Sequence, residues 1–135
     1  MRKNLFPVLF ILLSIGIGAC SSTSIKTDDK TKTNFYWVGV YTGLIPSADG
    51  TGINVQITLR SGEGYTIVYN YVDKPGIFTE SGTFNWDKAG KIITLNNTTF
   101  PPYYRVGGNY LLQLDMKGKK ITGKLADQYV LKKKD

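Results

Sequence analysis

Between Ile53 and Leu59 every second residue is apolar. Ile53, Val55, Ile57 and Leu59 alternate with Asn54, Gln56 and Thr58. Successive side chains of an extended strand point to opposite faces, so this segment has one buried and one wetted face. The pattern recurs along the chain. Tyr65, Ile67, Tyr69 and Tyr71 alternate with Thr66, Val68 and Asn70, and Phe78, Glu80, Gly82, Phe84 and Trp86 share one parity. Shorter runs are Lys91 to Leu95, Tyr103 to Val106 and Tyr110 to Leu114. Ile121 to Leu125 and Tyr129 to Leu131 close the series, and Tyr36 to Tyr41 opens it. Between the runs lie Ser61-Gly62-Glu63-Gly64, Asp73-Lys74-Pro75-Gly76, Asp87 to Gly90, Gly107-Gly108-Asn109 and Asp115-Met116-Lys117-Gly118, all with turn chemistry. No segment has a helical period. Eight or nine short strands with one apolar face each predict an all-β fold, a small up-and-down barrel of about eight strands. Closure also removes the edge strands. Such a barrel is just wide enough to be filled by side chains or to hold one small ligand, and the sequence leaves both open.

The chain begins differently. Arg2 and Lys3 precede an uncharged, largely apolar run from Leu5 to Ile17, which ends in Ile17-Gly18-Ala19-Cys20. The run is too short to span a bilayer, for which roughly 20 residues are needed, and it suits a signal peptide. Its end resembles the lipobox of signal peptidase II substrates. The expected organisation is a signal peptide over 1–19, acylation of Cys20, a flexible polar tether over 20–34 and the β-domain over 35–135. The partner this implies is a membrane, reached through an N-terminal lipid anchor. Ser21 and Ser22 after the cysteine favour an outer-membrane destination, at the periplasmic face or the cell surface.

The inventory of chemistry is short. The chain has no His, and its one Cys is the lipidation candidate. That excludes triads with a His base, thiol nucleophiles, disulfides and zinc sites of the usual kind. No spacing suggests Ser/Lys or paired-carboxylate catalysis, and no cofactor is implied, so the domain is expected to be non-enzymatic. The net charge of +7 includes Arg2 and Lys3, and much of the rest lies in Lys117, Lys119, Lys120, Lys124 and Lys132 to Lys134. On an exported lipoprotein this reads as a solvated basic face, with no nucleic-acid partner.

Tyr41-Thr42-Gly43-Leu44-Ile45-Pro46, followed by Ala48-Asp49 and Gly52-Ile53, resembles the opening of the N-terminal domain of NlpE-type copper-resistance lipoproteins. Phe78 to Phe84, Leu114-Asp115 with Gly118-Lys119-Lys120-Ile121, and Leu125 to Leu131 continue the resemblance in order, from about Trp37 to Lys133. It implies a lipocalin-like barrel on an outer-membrane lipoprotein, with roles in copper tolerance, surface-adhesion sensing and envelope-stress signalling. The second, OB-like domain of some members has no counterpart in this sequence. The family's opening loop carries Cys-x-x-Cys after the proline, where this chain has Ser47 and Gly50. No metal site is therefore expected there.

The candidate site residues are few. Ser47, Asp49 and Gly50 form a loop at the lip of the barrel. Glu80 has the parity of Phe78 and Phe84, so it is expected to face inward, where Arg60 or Arg105 would pair with it around a polar ligand. A tyrosine stripe of Tyr65, Tyr69, Tyr71, Tyr104 and Tyr110 is either core or pocket lining. Two functions follow: a non-enzymatic envelope lipoprotein that senses or engages an envelope protein, or a lipocalin-like binder of a small hydrophobic or amphipathic ligand.

Overall fold

The computed structural model describes residues 35–48 and 50–135. The expected signal peptide, Cys20, the tether and Asp49 lie outside the described residues.

The β-domain is a closed barrel of eight antiparallel strands in which each strand pairs with its neighbours in sequence. They are β1 (Gly39–Ile45), β2 (Ile53–Leu59), β3 (Gly64–Tyr71), β4 (Phe78–Trp86), β5 (Ile92–Leu95), β6 (Tyr103–Val106), β7 (Tyr110–Gln113) and β8 (Val130–Lys133). The ladders are long from β1 to β4, where Gly39 to Ile45 pair with Leu59 to Ile53. The closing seam is short, Tyr41 with Lys133 and Thr42 with Lys132.

The alternation seen in the sequence is the inside–outside pattern of the barrel. Tyr41, Ile57, Ile67, Phe84, Ile93, Tyr104, Leu111 and Leu131 are fully buried in one core. Two glycines permit close approaches. An added Cβ on Gly43 would sit 2.8 Å from Val130 O, so β8 lies tight against β1 there. An added Cβ on Gly82 would sit 2.8 Å from Asn96 O and 3.0 Å from the Tyr65 ring, its cross-strand partner.

Two expected strands are corrected. Tyr36 to Tyr41 is not one strand: residues 35–38 form a turn closed by Val38 N–H donating to Phe35 O, and the ladder starts at Gly39. The turn sends Trp37 into the core, edge-on to Phe84 and Trp86 at centroid distances of 5.5 Å. Burying the indole outweighs three more residues of strand. Ile121 to Leu125 is not a strand either. Leu114 and Lys120 make one isolated bridge, and the chain then enters a 3-10 turn at Ala126–Gln128. Gly123, with φ near 106°, breaks that segment in the middle.

Candidate functional site

Because the strands alternate in direction, their connections divide between two ends of the barrel. Short turns (60–63, 87–91 and 107–109) and the Trp37 turn close one end. The connections 46–52, 72–77, 96–102 and 114–129 gather at the other. This loop end holds the candidate site.

Glu80 organises one side of it. It pairs in register with the buried Ile67, so its side chain takes the inward parity. Only Phe84 to Trp86 of β4 pair with β5. The N-terminal half of β4 thus has a strand on one side only, and the loop 96–102 lies along the other. Glu80 holds that loop: it accepts hydrogen bonds from both Thr98 and Thr99 hydroxyls and from Thr99 N–H, the last at 3.0 Å. Phe100 N–H in turn donates to Thr98 Oγ at 3.0 Å. Partial burial works to raise the Glu80 pKa, but the hydrogen bonds from Thr98, Thr99 and Phe100 outweigh it and hold the carboxylate below its ordinary value. Tyr65 donates from its hydroxyl to Asn96 O at 2.7 Å. Its pKa is raised, first by burial and then by the Glu80 charge, against a lowering contact from Thr98.

Beside the latch stands an aromatic cluster. Tyr69 stacks on Phe78 at 5.2 Å and meets Phe100 at 4.7 Å, while Tyr71 lies edge-on to Phe78. Lys74 Nζ lies 5.2 Å from the Tyr71 ring centroid. The β3–β4 connection beyond it exposes apolar side chains: Ile77 is 74% exposed, and Val72 and, at the start of β4, Phe78 are each about half exposed. Leu44, near the end of β1, and Leu125, in the 114–129 connection, are half exposed. They flank a cleft of about 240 Å³ lined also by Pro46, Ser47, Gly50 and Gln128.

The structure separates several residues that the sequence suggested grouping. Glu80 pairs with neither arginine. Arg60 lies in the turn at the opposite end and donates to Thr66 Oγ1 at 2.8 Å. Arg105 is exposed on the outer face of β6. The tyrosine stripe also divides. Tyr65, Tyr69 and Tyr104 are buried, Tyr71 is half-buried and Tyr110 is exposed. Tyr104 is the deepest, with its hydroxyl fully buried and without a hydrogen-bond partner among the described residues. Burial pushes its pKa far up. Ser47 lines the cleft, its Oγ buried and unpartnered among the described residues. Gly50 packs against Asp73, whose Oδ2 would lie 2.5 Å from an added Cβ.

Thr98, Thr99, Val72 and Ile77 were not singled out in the sequence. An isoleucine directly after Pro75-Gly76 was the available signal, since an apolar side chain at a turn tip has no core to enter. The Thr98-Thr99 pair carried none, because its partner is eighteen residues away.

Comparison with known proteins places this architecture. Residues 41–124 match the family model of the NlpE N-terminal domain. A crystal structure of a candidate lipoprotein from Shewanella oneidensis is similar, with 40% identity and a TM-score of 0.70 over 78% of this chain and 96% of that chain. The crystal structure of the Cpx pathway activator NlpE from Escherichia coli shares the fold, with 24% identity and a TM-score of 0.52. That match covers 64% of this chain and 46% of the other, so this chain spans less than half of the Escherichia coli structure. No curated protein matches the chain. The chain belongs to the NlpE N-terminal domain family.

Proposed function

We propose that this protein is a non-enzymatic envelope lipoprotein, anchored through Cys20 in the outer membrane, that acts in envelope-stress or copper response by engaging an envelope protein through its loop end. The observation that carries the reading is the exposure of Val72, Ile77, Phe78, Leu44 and Leu125 at that one end. Contiguous exposed apolar patches mark interaction sites, and Ile77, at 74%, is more exposed than Phe35, Tyr36 or Tyr110 at the opposite end. Phe35 enters the barrel at the opposite, short-turn end, so a tether joined there favours presenting the loop end away from the membrane. Membership of the NlpE family and the likeness to a Cpx pathway activator agree with a signalling role. Copper would act through a partner, since Ser47 and Gly50 offer no soft donor in the opening loop. The alternative, a small hydrophobic ligand inside the barrel, has against it the side chains that occupy the interior, Tyr41, Ile57, Phe84 and Leu131 among them.

The test is an envelope-stress reporter in a strain overproducing the lipoprotein. Wild-type protein is expected to raise the reporter. Ile77→Asp with Phe78→Ser, anchored and folded by circular dichroism, is expected to lose most of that response. A full response from the double variant would sink the reading.

A further inference from the structure

On the loop-end half of the barrel, the outer face of β1, β2 and β3 is hollowed into a groove of about 420 Å³. Thr42, Gln56 and Val68 form one cross-strand row along it, and Asn54 and Asn70 are directly paired in the next. Gly43 and Val55 complete the lining. None of these residues is charged, in a chain with 20% charged residues. Lys132, opposite Thr42 on β8, is the charged residue that continues the first row.

Elsewhere on the outer face some polar side chains bond to one another, Arg60 to Thr66, Thr66 to Ser81, and Asn96 to both Thr83 and Asn85, while Thr58, Thr79 and Thr94 make no side-chain hydrogen bond among the described residues. In the groove the Asn54, Gln56 and Asn70 amides and the Thr42 hydroxyl make no side-chain hydrogen bond among the described residues. Each amide offers two donors and an acceptor. Three uncommitted amides around one concavity, with the Val68 methyls between them, match a ligand that alternates donors and acceptors, carries no charge and has small apolar groups. Its volume lies within the range typical of small-ligand sites, ~300–1,000 Å³.

We propose that this groove binds a neutral, N-acetylated glycan. Asn54, Gln56 and Asn70 exchange hydrogen bonds with its hydroxyl and acetamide groups, and Val68 receives an acetyl methyl. The site is open and wetted, so affinity is expected to be weak and to come from several hydrogen bonds at once.

The probe is tetraacetylchitotetraose, titrated into the full lipidated chain in zwitterionic micelles and followed by amide NMR shifts. Binding in the millimolar range or tighter is expected, with shifts centred on Asn54, Gln56 and Asn70. Asn54→Ala with Asn70→Ala, whose melting should match wild type, is expected to bind at least 10-fold more weakly. Adding 0.5 M NaCl should leave the affinity unchanged, because no ion pair is involved. The proposal is overturned by any of four results: no shifts above about 10 mM probe, equal binding by the double variant, loss of binding in salt, or equal affinity for cellotetraose, which lacks acetamides. Co-sedimentation distinguishes the source. Binding to purified cell-wall sacculi points to the cell's own wall, and binding to chitin particles alone points to a glycan from outside. Binding to neither would also overturn the proposal.

Discussion

Tyr65 and Tyr104 lie in the same core, and their hydroxyls have opposite circumstances. The Tyr65 hydroxyl donates to Asn96 O, whereas that of Tyr104 has no partner among the described residues. Removing a hydroxyl that has a partner strands a carbonyl, while removing an unpartnered one relieves a buried polar group. Tyr65→Phe is therefore expected to cost about 1 kcal/mol or more, and Tyr104→Phe to be neutral or stabilising. Thermal melting separates them, since about 1 kcal/mol moves the midpoint of a domain this size by ~4–8 °C. A Tyr104→Phe protein that melts well below wild type would refute the assignment. Both tyrosines were legible in the sequence as inward positions, because parity alone sets the face of a strand. Their different polar status was not, because it depends on where the loop 96–102 comes to rest. Glu80 teaches the same lesson. Its inward parity was readable, but its partners are two threonines of a distant loop and not Arg60 or Arg105.

At the scale of elements, two segments that are not strands complete the barrel. The loop 96–102 covers the half of β4 that β5 does not reach, and Glu80 fastens it. Glu80→Ala is expected to cost about 1 kcal/mol after allowance for its partial exposure, and to raise amide exchange selectively in Thr98, Thr99 and Phe100. Uniform loss of protection across the barrel would show that the acid is not a local latch. The Trp37 turn does comparable service at the other end. Tyr41 donates from its hydroxyl to Trp37 O at 2.7 Å, and Lys133 Nζ donates to Tyr36 O at 2.6 Å. A chain beginning at Phe35 should fold as a monomer. One beginning at Gly39 loses the buried indole, a loss of about 3–5 kcal/mol against a typical total of about 5–15. Denaturant melts of the two should differ accordingly, and equal midpoints would deny Trp37 its role. Strands β2 to β7 were readable nearly to the residue, because their alternation and turn residues agree. The Trp37 turn was not, because aromatic residues favour strands and tertiary packing diverted them, and the 121–128 segment was not, because Ile121 and Thr122 favour a strand that Gly123, with φ near 106°, interrupts.

For the whole molecule, acid and alkali should both loosen the barrel, for separate reasons. Glu80 is held below its ordinary pKa by the hydrogen bonds described above. In Asp87 partial burial works upward but is outweighed by N–H donors from Ile92, Lys91 and Gly90, and in Asp115 the Lys119 and Lys117 N–H groups lower the value directly. A carboxylate whose pKa falls on folding stabilises the protein fully above its unfolded value, about 4, and loses that contribution as pH drops through the folded one. Burial shifts Tyr41 the other way, to about 12, with Tyr36 adding to it. Its unfolded counterpart ionises near pH 10, so that contribution is present below about 10 and fades above it. Urea midpoints should thus plateau between about pH 5 and 9 and fall on either side. A midpoint that kept rising down to about pH 3 would contradict the acid limb. The seam between β1 and β8 has a consequence in time. Every other pairing joins neighbours, and a nascent chain can zip those up as it lengthens. Tyr41 and Thr42 must wait for Lys132 and Lys133, about ninety residues later, before the ring is whole. Until then the first strand presents a bare edge, open to any strand that arrives sooner. The birth of this protein therefore includes an interval of vulnerability that lasts until Val130–Lys133 has emerged, and a chaperone that shields the first strand would act within it.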